Sequence, residues 1–247
     1  MTGPASEALV ASRLATVQER VAVACAQADR TPSAVSVIGV TKTHPPALGR
    51  AAVEAGMLDL AESRVQELLA KMPHVPGARW HLVGRLQRNK VRDVVGRQVL
   101  VHSMDRRRLA DALSRRASEV GSLQRVLVQV NVGDDPAKGG CHVDDALDLV
   151  AYARDLPHLA VEGLMTIPPL PGEDEDPVEA ARGHFARLRR LRDEARERFP
   201  EVAHLSMGMS ADLEAAVEEG ATMIRVGTAL FGPRGQGPWR PQEDENP

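Results

Sequence analysis

Apolar and polar positions recur along this chain with two distinct spacings. In the first 30 residues the apolar side chains follow near-helical spacing, which predicts an amphipathic opening helix. Its expected buried face comprises Leu9, Leu14, Val17, Val21 and Cys25. Residues 35–40 then form a short β-branched run that is typical of a buried strand. Beyond it, strand-like runs and helical patterns alternate along the rest of the chain.

This alternation predicts eight strands with seven helical segments between or after them. The strands are expected at about residues 35–41, 58–61, 79–83, 98–102, 125–131, 160–164, 202–205 and 222–226. The helices are expected at about residues 46–55, 64–72, 86–95, 106–119, 143–154, 177–198 and 211–219. Parallel pairing is indicated, because strands that alternate with helices are joined by crossover connections.

Eight such units close naturally into a barrel. The sequence therefore predicts an α/β fold, a single (β/α)8 TIM-type barrel with an extra N-terminal helix, over residues 1–234. An open doubly wound sheet is the alternative, but no G-x-G-x-x-G motif follows the first predicted strand. The polar segment 235–247 is expected to be a disordered tail.

The longest predicted helix, at residues 177–198, has an apolar and a charged face. Its apolar stripe comprises Phe185, Leu188, Leu191, Ala195 and Phe199. Its arginines could form an anion patch, but glutamates and Asp193 are interleaved with them. We interpret the charged face as solvated and expect its arginines to point into solvent. These arginines are Arg187, Arg189, Arg190 and Arg192.

Composition excludes several classes of function. A net charge of −3 gives no global electrostatic reason to expect a nucleic-acid or membrane partner. Cys25 and Cys141 lie far apart, without the spacing of a zinc site or a disulfide framework. The first 30 residues contain no apolar core of a secretory signal, and no run is long enough to span a membrane. We expect a cytoplasmic protein without a metal.

Lysine is rare in this chain, with four lysines among 31 basic residues. Lys42 follows the first predicted strand, where a barrel would direct it to the active-site mouth. An apolar setting would lower the pKa of its ammonium group and favour the free amine that attacks an aldehyde. The alternative is a lysine that extends along the surface into water. Position alone leaves both interpretations open.

Two glycine-containing segments near the last strands suit a phosphate group. In residues 204–210, Gly208 permits close approach of the backbone, and the hydroxyl groups of Ser206 and Ser210 lie beside a predicted helix start. The alternative is a plain turn in which Ser210 caps the helix. Gly227 and Thr228, after the eighth strand, would supply further donors to the same phosphate.

Arg225 lies inside an apolar strand, where a cation is costly to bury without a partner. It could pair with a structural carboxylate or donate to a ring nitrogen of a cofactor. In strand three, we interpret Trp80 and His81 as core packing with a hydrogen-bonded histidine, in preference to a stacking surface and a proton shuttle. In the closed barrel the lysine on strand one is adjacent to the loops after strands seven and eight.

Together, these segments resemble the pyridoxal phosphate homeostasis protein family, whose fold is similar to the barrel domain of alanine racemase. The matching segments are residues 40–45 (VTKTHP), 80–90 (WHLVGRLQRNK), 138–140 (KGG), 163–168 (GLMTIP), 205–210 (LSMGMS) and 223–232 (MIRVGTALFG). They occur in the order of the family and extend over roughly residues 10–234.

The resemblance implies a role for each of these site residues. Lys42 would hold pyridoxal 5′-phosphate (PLP) as an imine. Ser206, Gly227 and Thr228 would hold the phosphate. Arg225 would meet the pyridine nitrogen and keep it unprotonated, which makes the ring a poorer electron sink.

One segment departs from the family pattern. Members of the family usually read Gly-Glu-Asn after the second strand, and this chain reads Ala61-Glu62-Ser63. Ser63 is shorter than asparagine and has no amide donor, so we expect a weaker contact with the cofactor at this position.

The resemblance leaves two classes of function. A racemase of this type needs a second acid–base group, which alanine racemase takes from a tyrosine of a separate domain. Tyr152 is the single tyrosine and lies in a predicted helix, and few residues follow the eighth predicted strand. We therefore expect a monomeric PLP carrier without robust turnover, with PLP-dependent apoenzymes as candidate partners. A lysine aldolase without PLP would leave Arg225 and the phosphate segments without a common ligand.

Overall fold

The computed structural model describes residues 4–233, 237 and 239, and its eight parallel strands form a closed barrel in sequence order. The strands are β1 (Ser36–Val40), β2 (Asp59–Glu62), β3 (Arg79–Leu82), β4 (Leu100–Met104), β5 (Gln124–Gln129), β6 (Leu159–Met165), β7 (His204–Ser206) and β8 (Met223–Val226). The predicted strands are all confirmed, with ends that differ by at most two residues. β1 closes the barrel by pairing with β8, with Ile38 opposite Arg225.

Helices surround the barrel. They are α1 (Pro4–Gln27), α2 (Pro46–Glu54), α3 (Val65–Lys71), α4 (Val91–Val94), α5 (Arg107–Glu119), α6 (Ala146–Arg154), α7 (Pro177–Arg198), α8 (Leu213–Glu218) and α9 (Thr228–Phe231). The helix predicted at 86–95 is a 3₁₀ turn (Arg88–Lys90) followed by the short α4. The single turn α9 was not predicted, because four residues are too few to show a helical period.

The apolar core has two parts. One lies between the sheet and the helices, and the other fills the barrel interior. The interior part comprises Ile38, Val40, Ala61, Val83, Leu100, Leu127, Met165 and Met223. Full burial of one large aliphatic side chain of this kind contributes about 1.5–3 kcal/mol to the stability of the fold. The interior is thus a packed core, open to ligands only at its rim.

The opening helix α1 packs along the side of the barrel. Leu14, Val17, Val21 and Cys25 are buried as predicted, but the prediction for Leu9 was wrong. Leu9 is 49% exposed and Val10 is 2% exposed, because spacings of three and four residues continue the stripe from Leu14 back to position 10.

The long helix α7 begins at Pro177, and Asp176 caps it by accepting a hydrogen bond from the amide of Val178. Phe185, Leu188 and Ala195 are buried as predicted. The expectation that all its arginines face solvent was wrong for Arg192, which is 9% exposed. Its Nη1 donates to the carbonyl oxygen of Ala203 at 2.9 Å, and this bond anchors α7 to the segment before β7.

Within the described residues, no helix is both long and apolar enough to cross a membrane. The same residues contain no group of three or more His, Cys, Asp or Glu side chains arranged to hold a metal ion. The domain boundary at residue 234 stays a prediction, because the predicted tail, 235–247, lies outside the described residues apart from Gly237 and Trp239.

Candidate functional site

A cavity of about 230 Å³ opens at the carboxyl ends of the barrel strands. Parallel strands deliver the residues that follow them to this one end. Most of the predicted site residues line the cavity, namely Lys42, Ser63, Ser210, Arg225, Gly227 and Thr228. Ser206 and Gly208 lie behind the lining. Sequence reasoning did not assign His44, Met209 or Gly232 to the site, although all three lie within or beside the matched segments.

Lys42 lies in a tight turn just after β1 and is half-buried. The next residue, Thr43, has a φ of +67°, a left-handed conformation that costs energy for a β-branched side chain. Two hydrogen bonds hold this turn. The amide of Thr43 donates to Oε2 of Glu67 at 2.9 Å, and the amide of His44 donates to the carbonyl oxygen of Thr41 at 3.0 Å. The lysine therefore projects from a backbone that is fixed on both sides.

A buried ionic cluster lies beneath this turn. It consists of Thr41, Glu62, Glu67 and Lys71. Nζ of Lys71 lies 2.6 Å from Oε1 of Glu62, 3.4 Å from Oε2 of Glu67 and 2.8 Å from the carbonyl oxygen of Thr41. Burial raises the pKa of Glu62, and the charge of Lys71 opposes that rise. The sequence analysis did not identify this cluster, because Thr41 and Glu62 lie outside α3, which carries Glu67 and Lys71.

His44 lines the cavity opposite the aromatic ring of Phe231, with ring centroids 5.9 Å apart. Burial lowers the pKa of His44, and the positive charge of Lys71 acts in the same direction. The imidazole is therefore neutral at physiological pH and can accept or donate a hydrogen bond.

Arg225 brings a cation to the inner wall of the cavity. It is 4% exposed, and burial lowers its pKa to about 10, so the guanidinium stays charged at neutral pH. Nη1 donates to Oγ of Ser206 at 2.7 Å, and Nη2 donates to the carbonyl oxygen of Thr166 at 2.8 Å. Among the residues that the structure describes, no carboxylate forms an ion pair with it. Its side-chain hydrogen bonds go to a hydroxyl and a carbonyl oxygen, and the charge of Asp212, beyond ion-pair distance, offsets only part of its positive charge.

Ser206 is fully buried at the end of β7, with its hydroxyl directed into the barrel. Besides Arg225, its Oγ contacts Nδ1 of His102 at 2.9 Å. Nε2 of His102 lies 2.9 Å from Nδ1 of His81, whose Nε2 lies 3.1 Å from Oδ1 of Asp59. The interpretation of His81 as a hydrogen-bonded core residue is confirmed. The role of Ser206 as a phosphate contact stays a prediction.

The loop after β7 brings Ser210 to the cavity in an unexpected way. The alternative in which Ser210 caps the next helix was wrong, because α8 begins at Leu213 after Asp212. Oγ of Ser210 instead accepts a hydrogen bond from the amide of Ala229, in α9, at 3.3 Å. This bond ties the loop after β7 to the turn that contains Gly227 and Thr228, so both predicted phosphate segments face one space.

Comparison with known proteins gives consistent results. The family model described as the alanine racemase N-terminal domain matches residues 13–235. The pyridoxal phosphate homeostasis protein of Aquifex aeolicus is 44% identical over 225 residues, which is 90% of this chain and 97% of that protein. The protein of the same name from Escherichia coli K12 is 36% identical over 231 residues, covering 91% and 97% of the two chains.

Solved structures show the same relationship. The structure of PipY from Synechococcus elongatus with PLP bound has a TM-score of 0.77 and 36% identity, covering 90% of this chain and all of that one (100%). A protein of unknown function from Bifidobacterium adolescentis has a TM-score of 0.85 and 31% identity, covering 94% and 98%. Alanine racemase of Clostridium difficile has a TM-score of 0.72 at 15% identity, covering 96% of this chain and 58% of that one, and shares the fold.

Proposed function

Because the chain belongs to the pyridoxal phosphate homeostasis protein family, we propose that it binds PLP in the cavity at the strand ends and acts in the homeostasis of this cofactor. One observation carries the proposal. The amine of Lys42, just after β1, and the buried Arg225 on β8, the strand that pairs with β1, face a single cavity. The serine-containing loop after β7 and the Gly227-Thr228 turn after β8 face the same cavity. The aldehyde, the pyridine nitrogen and the phosphate of PLP would each contact a suitable group in this cavity.

Lys42 is the residue that we propose holds PLP as an imine. Its turn is fixed by Glu67 and by the buried ammonium group of Lys71. A fixed turn limits the positions open to the lysine side chain, and so reduces the entropy lost when it bonds to a ligand.

We assign the ring nitrogen to Arg225 and the phosphate to Ser210, Gly227 and Thr228, which line the cavity. Ser206 and Gly208 support these groups from behind the cavity wall. PLP supplies an electron sink when its pyridine nitrogen is protonated. A guanidinium cation disfavours that protonation, so the site suits storage and delivery better than carbanion chemistry. We propose a carrier without robust turnover, with PLP-dependent apoenzymes as recipients.

A racemase-type activity is the alternative, and one observation favours it. His44 is a neutral imidazole on the cavity wall and could serve as a second acid–base group beside the lysine. An assay of amino acids for racemisation, with purified protein and added PLP, separates the two functions. Turnover that disappears in His44→Phe would favour the enzyme.

The binding proposal is tested by trapping the imine. Purified protein is incubated with PLP, freed of unbound cofactor, reduced with borohydride and digested for peptide mass spectrometry. A phosphopyridoxyl group is expected on Lys42, together with yellow colour before reduction. Lys42→Ala should lose both signals.

Lys90→Ala is the matched control, because Lys90 lies off the cavity and pairs with Asp93. It should label like the unmodified protein. A colourless protein without adduct, or an adduct confined to other lysines, would overturn the assignment.

A further inference from the structure

A row of hydrogen-bonded polar side chains crosses the interior of the barrel, beside the apolar side chains that fill most of it. We call it the barrel spine, and it comprises Asp59, His81, His102, Ser206 and Arg225. Successive contacts along it measure 3.1, 2.9, 2.9 and 2.7 Å. Asp59 and His81 line a second cavity, at the opposite end of the barrel, whereas Arg225 lines the candidate PLP cavity. The spine thus connects the two ends of the molecule.

The carboxylate end of the spine determines where its hydrogens lie. Asp59 is ionised, since its pKa is lowered to about 2 as hydrogen bonds from His81 and Arg79 outweigh the effect of burial. A carboxylate only accepts, so Nε2 of His81 must carry a hydrogen. Arg79 already forms a two-point ion pair with Asp59, at 2.8 and 2.6 Å. The single negative charge of Asp59 is thus already shared with Arg79, and a second proton on His81 would leave this group with a net positive charge next to the buried ring of His102.

With His81 neutral, the remaining assignments follow one from another. Nδ1 of His81 is an acceptor, so Nε2 of His102 carries the hydrogen between the two rings. Nδ1 of His102 then accepts from the hydroxyl of Ser206. Complete burial lowers the pKa of His102 well below its usual value, which is consistent with a neutral ring. Ser206 consequently presents only lone pairs to Arg225, which can only donate.

We propose that Asp59, His81 and His102 are positioning residues for the cofactor site. They hold the hydroxyl of Ser206 as an obligate acceptor, which fixes the guanidinium of Arg225 between Ser206 and the carbonyl oxygen of Thr166 at the cavity wall. A buried polar network of this kind is costly unless every member is satisfied, and here each contact has a donor and an acceptor. The role of the spine toward PLP rests on the function proposed above.

The hydrogen assignment is tested first in the protein without PLP. Long-range ¹H–¹⁵N correlation spectra distinguish the two neutral histidine tautomers and the imidazolium. His81 and His102 should both be neutral and protonated on Nε2. A hydrogen on Nδ1 of His102, or a doubly protonated His81 at neutral pH, would overturn the assignment. This readout does not depend on cofactor binding.

The positioning role is tested with Ser206→Ala and His102→Gln. Ser206→Ala removes one oxygen and leaves Nη1 of Arg225 without its acceptor, so the affinity for PLP should fall about tenfold. His102→Gln should weaken binding in the same direction, and both variants should shift the absorption maximum of bound PLP while borohydride still labels Lys42.

His204→Gln is the matched control. His204 also lies on β7 and bonds to Thr222 Oγ1 at 3.2 Å, outside the spine. The PLP affinity and the PLP absorption spectrum of this variant should stay close to those of the unmodified protein. Unchanged PLP affinity and absorption in both Ser206→Ala and His102→Gln would refute the positioning role. The proposal that the protein binds PLP would be unaffected by that result. An unmodified protein that binds no PLP would instead refute the proposed function and, with it, the role of the spine toward PLP.

Discussion

Lys71 places its ammonium group in the protein interior with 1% of its surface exposed. Two carboxylates and a carbonyl oxygen surround it, and the same groups hold the turn that presents Lys42. The second carboxylate oxygen of Glu62 has no hydrogen-bond partner within the described part of the chain. The cluster therefore depends strongly on the one positive charge at its centre.

We predict that Lys71→Met destabilises the protein by about 3–5 kcal/mol, because it leaves Glu62 as a buried charge without its counter-ion. Urea unfolding at neutral pH measures this change. The double variant Lys71→Met/Glu62→Gln removes both charges and should recover a substantial part of the loss. A cost below about 1 kcal/mol for the single variant, beyond the error of extrapolation, would contradict the buried ion pair.

The charged site residues that could be predicted from the sequence lie at the end of an apolar strand. Lys42 and Arg225 could be predicted because barrel topology brings strand ends together. Lys71, Glu62 and His102 could not be assigned a role, because each depends on partners from other elements and no local spacing records such contacts. The phosphate contact of Ser206 stays a prediction, and the contacts of its hydroxyl with His102 and Arg225 were not predicted.

At the scale of elements, the connection from β7 to α8 is a tightly constrained part of the site. Gly208 has a φ of +90°, and a Cβ atom there would lie 2.4 Å from Cβ of Ala216 in α8. Its carbonyl oxygen also accepts a hydrogen bond from the amide of Arg225. Glycine lets the loop pass close to the helix that supports it.

We predict that Gly208→Ala destabilises the protein by at least about 2 kcal/mol, from the left-handed backbone together with overpacking against α8. Thermal or urea unfolding measures the loss. Gly183→Ala is the control, since Gly183 lies within α7 and nothing would lie within 4 Å of its new Cβ atom. That change should stabilise by about 0.5–1 kcal/mol. Equal changes in stability for the two substitutions would show that the close approach of the loop at Gly208 to α8 is not important.

Among the helices, the long periodic α7 was predicted well, whereas the helices of a single turn were not. The limits of α7 agree with the prediction because a repeated stripe and a proline at its first position define it. In contrast, α4 and α9 have four residues each, and their formation depends on packing against the barrel. A helix of one turn carries no period that a sequence pattern can reveal.

At the scale of the whole molecule, buried carboxylates link stability to pH. The pKa of Asp59 is lowered from 3.8 to about 2, so its contribution is present above pH 3.8 and is lost as the pH falls toward 2. Burial raises the pKa values of Glu62 and Asp212, and these groups act in the opposite direction.

We predict that Asp59→Asn lowers the free energy of unfolding by about 2 kcal/mol at pH 7, and that this difference shrinks toward zero near pH 2. Unfolding curves of the two proteins, compared at several pH values, isolate this group from the other carboxylates. A difference that stays constant between pH 7 and pH 2 would show that the hydrogen bonds from His81 and Arg79 do not lower the pKa of Asp59.

The pairing of β1 with β8 has a consequence for how the molecule is made. Lys42 is synthesised early and Arg225 late, so the two walls of the cavity meet only when the final strand has left the ribosome. A ligand that contacts both walls bridges the seam of the barrel, and it stabilises the closed form by an amount that grows with the ratio of its free concentration to its Kd. Cofactor capture would then report that a newly made chain has finished folding.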